Sequence, residues 1–119
     1  MEFIFHQKGD VKIAELTDKT MCIENVEDAV DLLGNADYQG ARRVIVQQQQ
    51  LHPDFFVLRT GMAGEILQKF SNYRMQLAIV GDFKNVESKS LRDFIRESNR
   101  QGRIFFVSSI DKALDALSG

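Results

Sequence analysis

The chain has 119 residues, 44% of them apolar and 27% charged, with a formal net charge of -2. That length suffices for one domain, 1–119, to bury an ordinary core without metal or disulfide staples. The composition is that of a soluble globular protein, and no apolar run approaches the ~20 residues that a membrane span needs.

Cys22 is the only cysteine, which excludes an internal disulfide and fits a reducing cytoplasm. The opening MEFIFHQKGD has no basic region followed by a long apolar stretch, so no secretory signal is expected. The charge is uneven: residues 1–40 carry three basic and nine acidic side chains, residues 41–119 twelve basic and eight acidic. A mildly acidic whole argues against a dedicated nucleic-acid binder, whose footprint is strongly basic.

In chain order, Glu2–His6 and Val11–Thr17 alternate apolar with polar residues around QKGD, where Gly9 can take a positive φ. They predict a β-hairpin. Asn25 is the expected N-cap of a first helix, with Asp28 three residues on. Val26, Ala29, Val30 and Leu33 follow at helical spacing, and Gly34-Asn35 is the predicted end. Arg43–Gln47 (RVIVQ) predicts a short buried strand. Gln47–Gln50 is too short for low-complexity behaviour.

Leu51-His52-Pro53-Asp54 breaks that strand. From Phe55 the apolar residues 55, 58, 62, 66, 70 and 73 recur every three to four positions, predicting a long helix with a core-facing stripe. Arg59 falls inside that stripe, so either the helix is broken near Thr60 or Arg59 lines a pocket. Gln76–Val80 (QLAIV) predicts a strand covered on both faces, closed by Gly81-Asp82. Ser88 caps a helix over Lys89–Arg100 with Leu91, Phe94 and Ile95 inward, and Gly102 stops it. Arg103–Val107 is the last strand. Ser109 caps a final helix with Ile110, Ala113, Leu114 and Leu117 on its apolar side.

The predicted order is β-β-α-β-α-β-α-β-α. The fold class is α/β: a single-layer, mostly parallel sheet with right-handed crossovers, an N-terminal β-hairpin and about four helices.

Enzyme signatures are sparse. His6 and His52 lie on different elements without metal-ligand spacing, and with Cys22 they form no recognisable nucleophile–base pair. No Gly-rich phosphate loop stands between a strand and a helix. The sequence therefore assigns no catalytic residue, metal ligand or cofactor.

Three surfaces remain. Gly61, Gly64, Glu65, Gln68 and Asn72 fall opposite the apolar stripe of the second helix. Each glycine costs a helix ~1 kcal/mol against alanine. Either the helix starts after Gly61 and Gly64 merely clears a neighbouring loop, or a close-approaching partner offsets the cost, that partner being another protein or a second copy in a homo-oligomer. Glu65 and Lys69 have the i,i+4 spacing of an ion pair. Lys89, Arg92, Arg96 and Arg100 form a basic stripe beside Asp93 and Glu97. It reads as a solvated, ion-paired face, or as a contact for an anionic partner. Finally, ligands of open parallel sheets sit beyond the strand carboxyl ends, where Arg59, Asp82, Ser88 and Lys89 are the candidate polar contacts. A helix N-terminus at Ser88-Lys89-Ser90 could hold a phosphate or carboxylate.

The run FFVLRTGMAGEILQKFSNYRMQLAIVGDF, with SKSLRDFIRESN and IFFV, resembles a bacterial family known as domain of unknown function 4180. Ala63-Gly64-Glu65, Gln68-Lys69-Phe70, Asn72-Tyr73-Arg74 and Gly81-Asp82-Phe83 carry the likeness, and the family name implies no activity. The element order is also similar to that of the sulphate transporter and anti-sigma-factor antagonist (STAS) domain. That resemblance implies a regulatory fold, and fold alone does not fix function. Antagonists of this type carry a phosphorylated serine in an Asp-Ser-Ser-Gly segment; here His52-Pro53-Asp54-Phe55-Phe56 has no hydroxyl, and Thr60-Gly61 comes later.

The sequence favours a small cytoplasmic, non-enzymatic protein-binding or regulatory module centred on the second helix. The alternative is a small-ligand binder or enzyme using the strand-end crevice.

Overall fold

The computed structural model describes residues 1–119. Five strands form one sheet in the order β1 (Phe3–Lys8), β2 (Val11–Leu16), β3 (Arg43–Gln47), β4 (Gln76–Val80) and β5 (Ile104–Val107). β1 is antiparallel to β2, and the other pairings are parallel. Four helices complete the predicted order: α1 (Val26–Tyr38), α2 (Met62–Asn72), α3 (Lys89–Gln101) and α4 (Ile110–Ser118). None of these helices is long and apolar enough to cross a membrane.

The strand order explains the layers. From β2 to β5 each parallel crossover steps one place in the same direction, so right-handed connections put all three linking helices on one face. The larger core lies there, with Ala14, Leu16, Val44, Val46, Leu77, Ile79, Ile104 and Phe106 facing helix residues such as Leu32, Leu33, Ala63, Ile66 and Phe70. The opposite face has α4 alone, which sets Ala113, Leu114 and Leu117 on Ile13, Ile45, Ala78 and Val80. Burial from both sides accounts for the unbroken apolar runs of β3 and β4.

The hairpin forms as predicted. Lys8 pairs with Val11 around Gly9-Asp10, and Gly9 takes φ +60 at the first central position, as a type II′ turn requires.

Two helix boundaries differ from the sequence reading. α1 does not stop at Gly34-Asn35 but continues to Tyr38, because Ala36 still reaches the core and is fully buried. Its end is a Schellman motif: Gly40 takes φ +86, Gly40 N–H donates to Asp37 C=O, and Ala41 N–H donates to Ala36 C=O. The second helix does not begin at Phe55. Pro53–Phe56 and Leu58–Thr60 are single 3-10 turns, and α2 starts only after Gly61, which takes φ +81. Thus the helix is broken at Thr60, one of the two outcomes Arg59 required. Phe55 reaches the core from the first of these turns, while Tyr73, the last member of the expected stripe, is exposed.

Candidate functional site

The three surfaces named by the sequence fare differently once folded. α2 buries Met62, Ala63, Ile66 and Phe70 and turns Gly64, Glu65, Gln68 and Asn72 outward. A Cβ added at Gly64 would meet nothing within 4 Å. Gln68 Nε2 donates to Asn72 Oδ1 at 2.8 Å, so these two amides stiffen one another along the exposed face. Gly61 belongs to the turn before the helix and is half-buried.

This face is one wall of a groove. α1 and α2 lie side by side on the sheet, and between them is a cleft of about 740 Å³ lined by Val26, Glu27, Val30, Asp31, Glu65, Gln68 and Lys69. Its floor is apolar where Val26 and Val30 are half-buried, and its walls carry three carboxylates against one ammonium. Glu65 and Lys69 share this wall without forming the expected i,i+4 ion pair, since no bridge within 4 Å joins them. The α1 wall is set by the Asn25 cap. Asn25 Oδ1 accepts from Asp28 N–H at 2.8 Å, and Asp28 Oδ2 accepts from Glu24 N–H at 2.9 Å. Carboxylates in this first turn also face the positive end of the helix dipole.

The basic stripe of α3 is internally engaged. Lys89 Nζ is 2.7 Å from Asp93 Oδ2, Arg96 Nη2 is 2.9 Å from Asp93 Oδ1, and Arg100 pairs with Glu97. Arg92 bends back to donate to the carbonyls of Val86 and Glu87. These contacts hold the Asp93 carboxyl below the usual carboxylate range, chiefly through the Lys89 hydrogen bond, and the Glu97 carboxyl likewise through Arg100.

At the strand carboxyl ends the four candidate ligand contacts separate. Arg59, Ser88 and Ser90 line one cleft of about 350 Å³ with Phe56, Val57 and Leu58, but Asp82 and Lys89 do not join them. Asp82 Oδ1 accepts from Lys84 N–H within its own turn, and Lys89 is turned to Asp93. Ser88 Oγ serves as the N-cap of α3, accepting from Leu91 N–H.

The strand ends carry two further clefts, one of about 560 Å³ beside Gln48, Leu51 and Phe56 and one of about 350 Å³ beside Gly81, Phe83 and Ser108, shaped by side chains whose part the sequence did not disclose. Gln50 is 2% exposed; its Nε2 donates to the carbonyls of Leu16 and Asp18, and its Oε1 accepts from Gln47 N–H. The loop at Cys22-Ile23 is tied to the same point, because both N–H groups donate to Gln50 C=O. Gln48 lies over Gly81, with Phe83 beside it. Moreover, all crossovers run one way, so the sheet has no switch point at which neighbouring loops diverge into a crevice.

The remaining reactive groups are dispersed. Cys22 is half-buried, and burial, aided by Asp18, pushes its thiol up and away from the nucleophilic thiolate. His52 Nδ1 accepts from Asp54 N–H, capping the 3-10 turn, and His6 Nε2 is 2.7 Å from Glu15 Oε1 on the hairpin. No group of three or more His, Cys, Asp or Glu is placed to hold a metal ion.

In comparison with known protein families, the family described as Domain of unknown function (DUF4180) matches residues 8–117. No curated protein matches the chain.

Proposed function

The chain belongs to the DUF4180 family, whose description carries no activity, and we propose from its geometry that it is a protein-binding module. The α1–α2 groove receives a cationic amphipathic segment of a partner protein. The observation that carries this reading is the groove's lining: an apolar floor at Val26 and Val30 between walls bearing Glu27, Asp31 and Glu65. An amphipathic helix laid in such a groove puts its apolar side down and its lysines or arginines against the carboxylates. Gly64 on the rim lets a partner backbone come close, because no side chain stands there. Complementary charge of this kind mainly speeds encounter and selects among partners.

The crevice reading has less behind it, since Asp82 and Lys89 stay outside the cleft that Arg59 and Ser88 share.

The test uses a lysine-rich amphipathic peptide and follows amide chemical shifts of the full chain as it is titrated. The expected shifts cluster on residues 26–31 and 64–69, shrink as salt rises, and are lost in Glu27→Lys/Asp31→Lys. Shifts spread evenly over the surface, or unchanged by that double substitution, overturn the reading. A parallel thermal-stability screen with nucleotides and metabolites reports on the alternative: a stabilising hit that maps to Arg59, Ser88 and Ser90 replaces the groove with the crevice.

A further inference from the structure

The two edges of the sheet are treated differently. On β5 the ladder to β4 uses Arg103 C=O and Val107 C=O, as acceptors from Leu77 N–H and Gly81 N–H. Ile104 and Phe106 therefore aim their backbone groups at the open side. At Phe106 both are occupied: Asn99 Oδ1 accepts from its N–H at 2.7 Å, and Asn99 Nδ2 donates to its C=O at 3.3 Å. One side-chain amide from α3 thus imitates a neighbouring strand and caps this edge at Phe106.

β1 has no such cover. Its register with β2 is continuous from Phe3–Leu16 to Lys8–Val11, with no bulge, and the strand contains no proline. Proteins usually blunt exposed edges with such devices. Thr17 N–H donates to Glu2 C=O, so Glu2, Ile4, His6 and Lys8 bond inward to β2. The N–H and C=O groups of Phe3, Phe5 and Gln7 then point outward. The same strand also exposes apolar side chains, with Ile4 51% and Phe5 38% exposed and Met1 at 43% just before it.

We propose that β1 is the interface to a second copy of this chain, pairing antiparallel across a two-fold axis to give a continuous ten-stranded sheet, five strands from each copy. The register follows from the strand itself. Outward-bonding residues must face outward-bonding residues, and the two-fold must map the strand onto itself. Centring the axis on Phe5 satisfies both conditions with the longest overlap: Phe5 opposes Phe5 of the second copy, and Phe3 opposes its Gln7. The intervening residues then fall into complementary pairs. Ile4 lies against His6 of the other copy, and Glu2 lies against its Lys8. Each chain therefore contributes one half of two symmetric ion pairs, and no like charges meet. A two-fold perpendicular to the sheet also keeps both α1–α2 grooves on the same side, free for their partners.

Charge reversal tests this arrangement without touching the core, because Glu2 and Lys8 are both exposed. Sedimentation across a concentration series of the full chain should give twice the 13.6 kDa of one copy. Glu2→Lys and Lys8→Glu, each alone, should weaken association by several-fold, since each sets like charges across the axis. The double variant Glu2→Lys/Lys8→Glu should restore it. Amide exchange supplies the second readout: Phe3, Phe5 and Gln7 should become protected as concentration rises, while Ile4 and His6 are protected throughout. A chain that stays at 13.6 kDa up to its solubility limit overturns the proposal. So does a dimer whose affinity ignores both single reversals, or one in which Phe3, Phe5 and Gln7 exchange freely.

Discussion

Gln48 lies across Gly81: a Cβ built on that glycine would come within 2.9 Å of Gln48 Cβ and of Phe83 Cζ. Gly81 follows β4 immediately and anchors it to β5 by donating its N–H to Val107 C=O at 2.9 Å. The contact therefore joins the ends of β3, β4 and β5, and small size at residue 81 is what permits it.

Gly81→Ala is expected to cost about 1–3 kcal/mol, the usual penalty for an extra methyl in a packed site. Its φ is not in the left-handed region, so crowding rather than backbone strain is the cause. The flexible amide end of Gln48 can swing away, but its Cβ and the Phe83 ring cannot move as freely. Gln48→Ala should thus recover only part of the loss. Urea unfolding of the two single variants and the double variant measures that coupling directly. Additive effects within ~0.3–0.5 kcal/mol would show that the two residues do not press on one another.

Three helices end on a residue in the left-handed region, and only two of those residues are glycine. Gly40 closes α1 with φ +86 and Gly102 closes α3 with φ +81, but α2 is closed by Arg74 with φ +56. The hydrogen bonds are those of the same motif, with Arg74 N–H donating to Ser71 C=O and Met75 N–H to Phe70 C=O. An L side chain in this conformation costs roughly 1–2 kcal/mol. Glycine removes that cost and gives back about 0.4–1 kcal/mol through the freer unfolded chain. Arg74→Gly should stabilise the fold by about 0.5–1 kcal/mol. The denaturation midpoint should rise with an unchanged m value, and a lower midpoint would mean that the Arg74 side chain supplies an interaction of its own.

These examples show which features were legible in the sequence. The strands were, because burial on both faces leaves little choice but Val44-Ile45-Val46 and Leu77-Ala78-Ile79. Caps such as Asn25, Ser88 and Ser109 were, because their hydrogen bonds are local. The break near Thr60 was legible from Arg59 in the apolar stripe, but the 3-10 turns before it were not. Phe55 and Leu58 keep helical spacing through two 3-10 turns, and spacing alone does not distinguish a turn of that kind from a helix. The end of α1 was hidden for the converse reason: Gly34 has open space around it and is carried inside the helix. The exposed wall of α2 was visible as a face, but the groove needs α1 beside it, which no periodicity reveals. The tie from Gln50 to Leu16 and the one from Asn99 to Phe106 were silent, since these partners lie 34 residues and seven residues away across tertiary contacts.

The carboxylates of α3 give the fold a defined acid response. Asp93 lies between Lys89 and Arg96, and Glu97 accepts from Arg100 and Gln101, so both carboxyls are held below their ordinary values. A carboxyl whose folded value is lowered contributes stability above its unfolded value and loses it as pH falls through the folded one. For these two residues that loss begins near about pH 4 and is complete only below their lowered values. Neither carboxylate is buried in the core, with side chains 41% and 50% exposed, so the effect should appear as fraying of α3 rather than as global unfolding. Carboxyl-carbon shifts followed by NMR should show Asp93 and Glu97 titrating below the same residues in an unstructured peptide. Added salt should move both back toward ordinary values, because screening weakens contacts made in water. Amide exchange over residues 93–100 should accelerate across the same pH window while the central strands remain protected. Titration at or above the peptide values would mean that Lys89, Arg96 and Arg100 do not hold these carboxylates in solution, leaving the basic stripe free for an anionic partner.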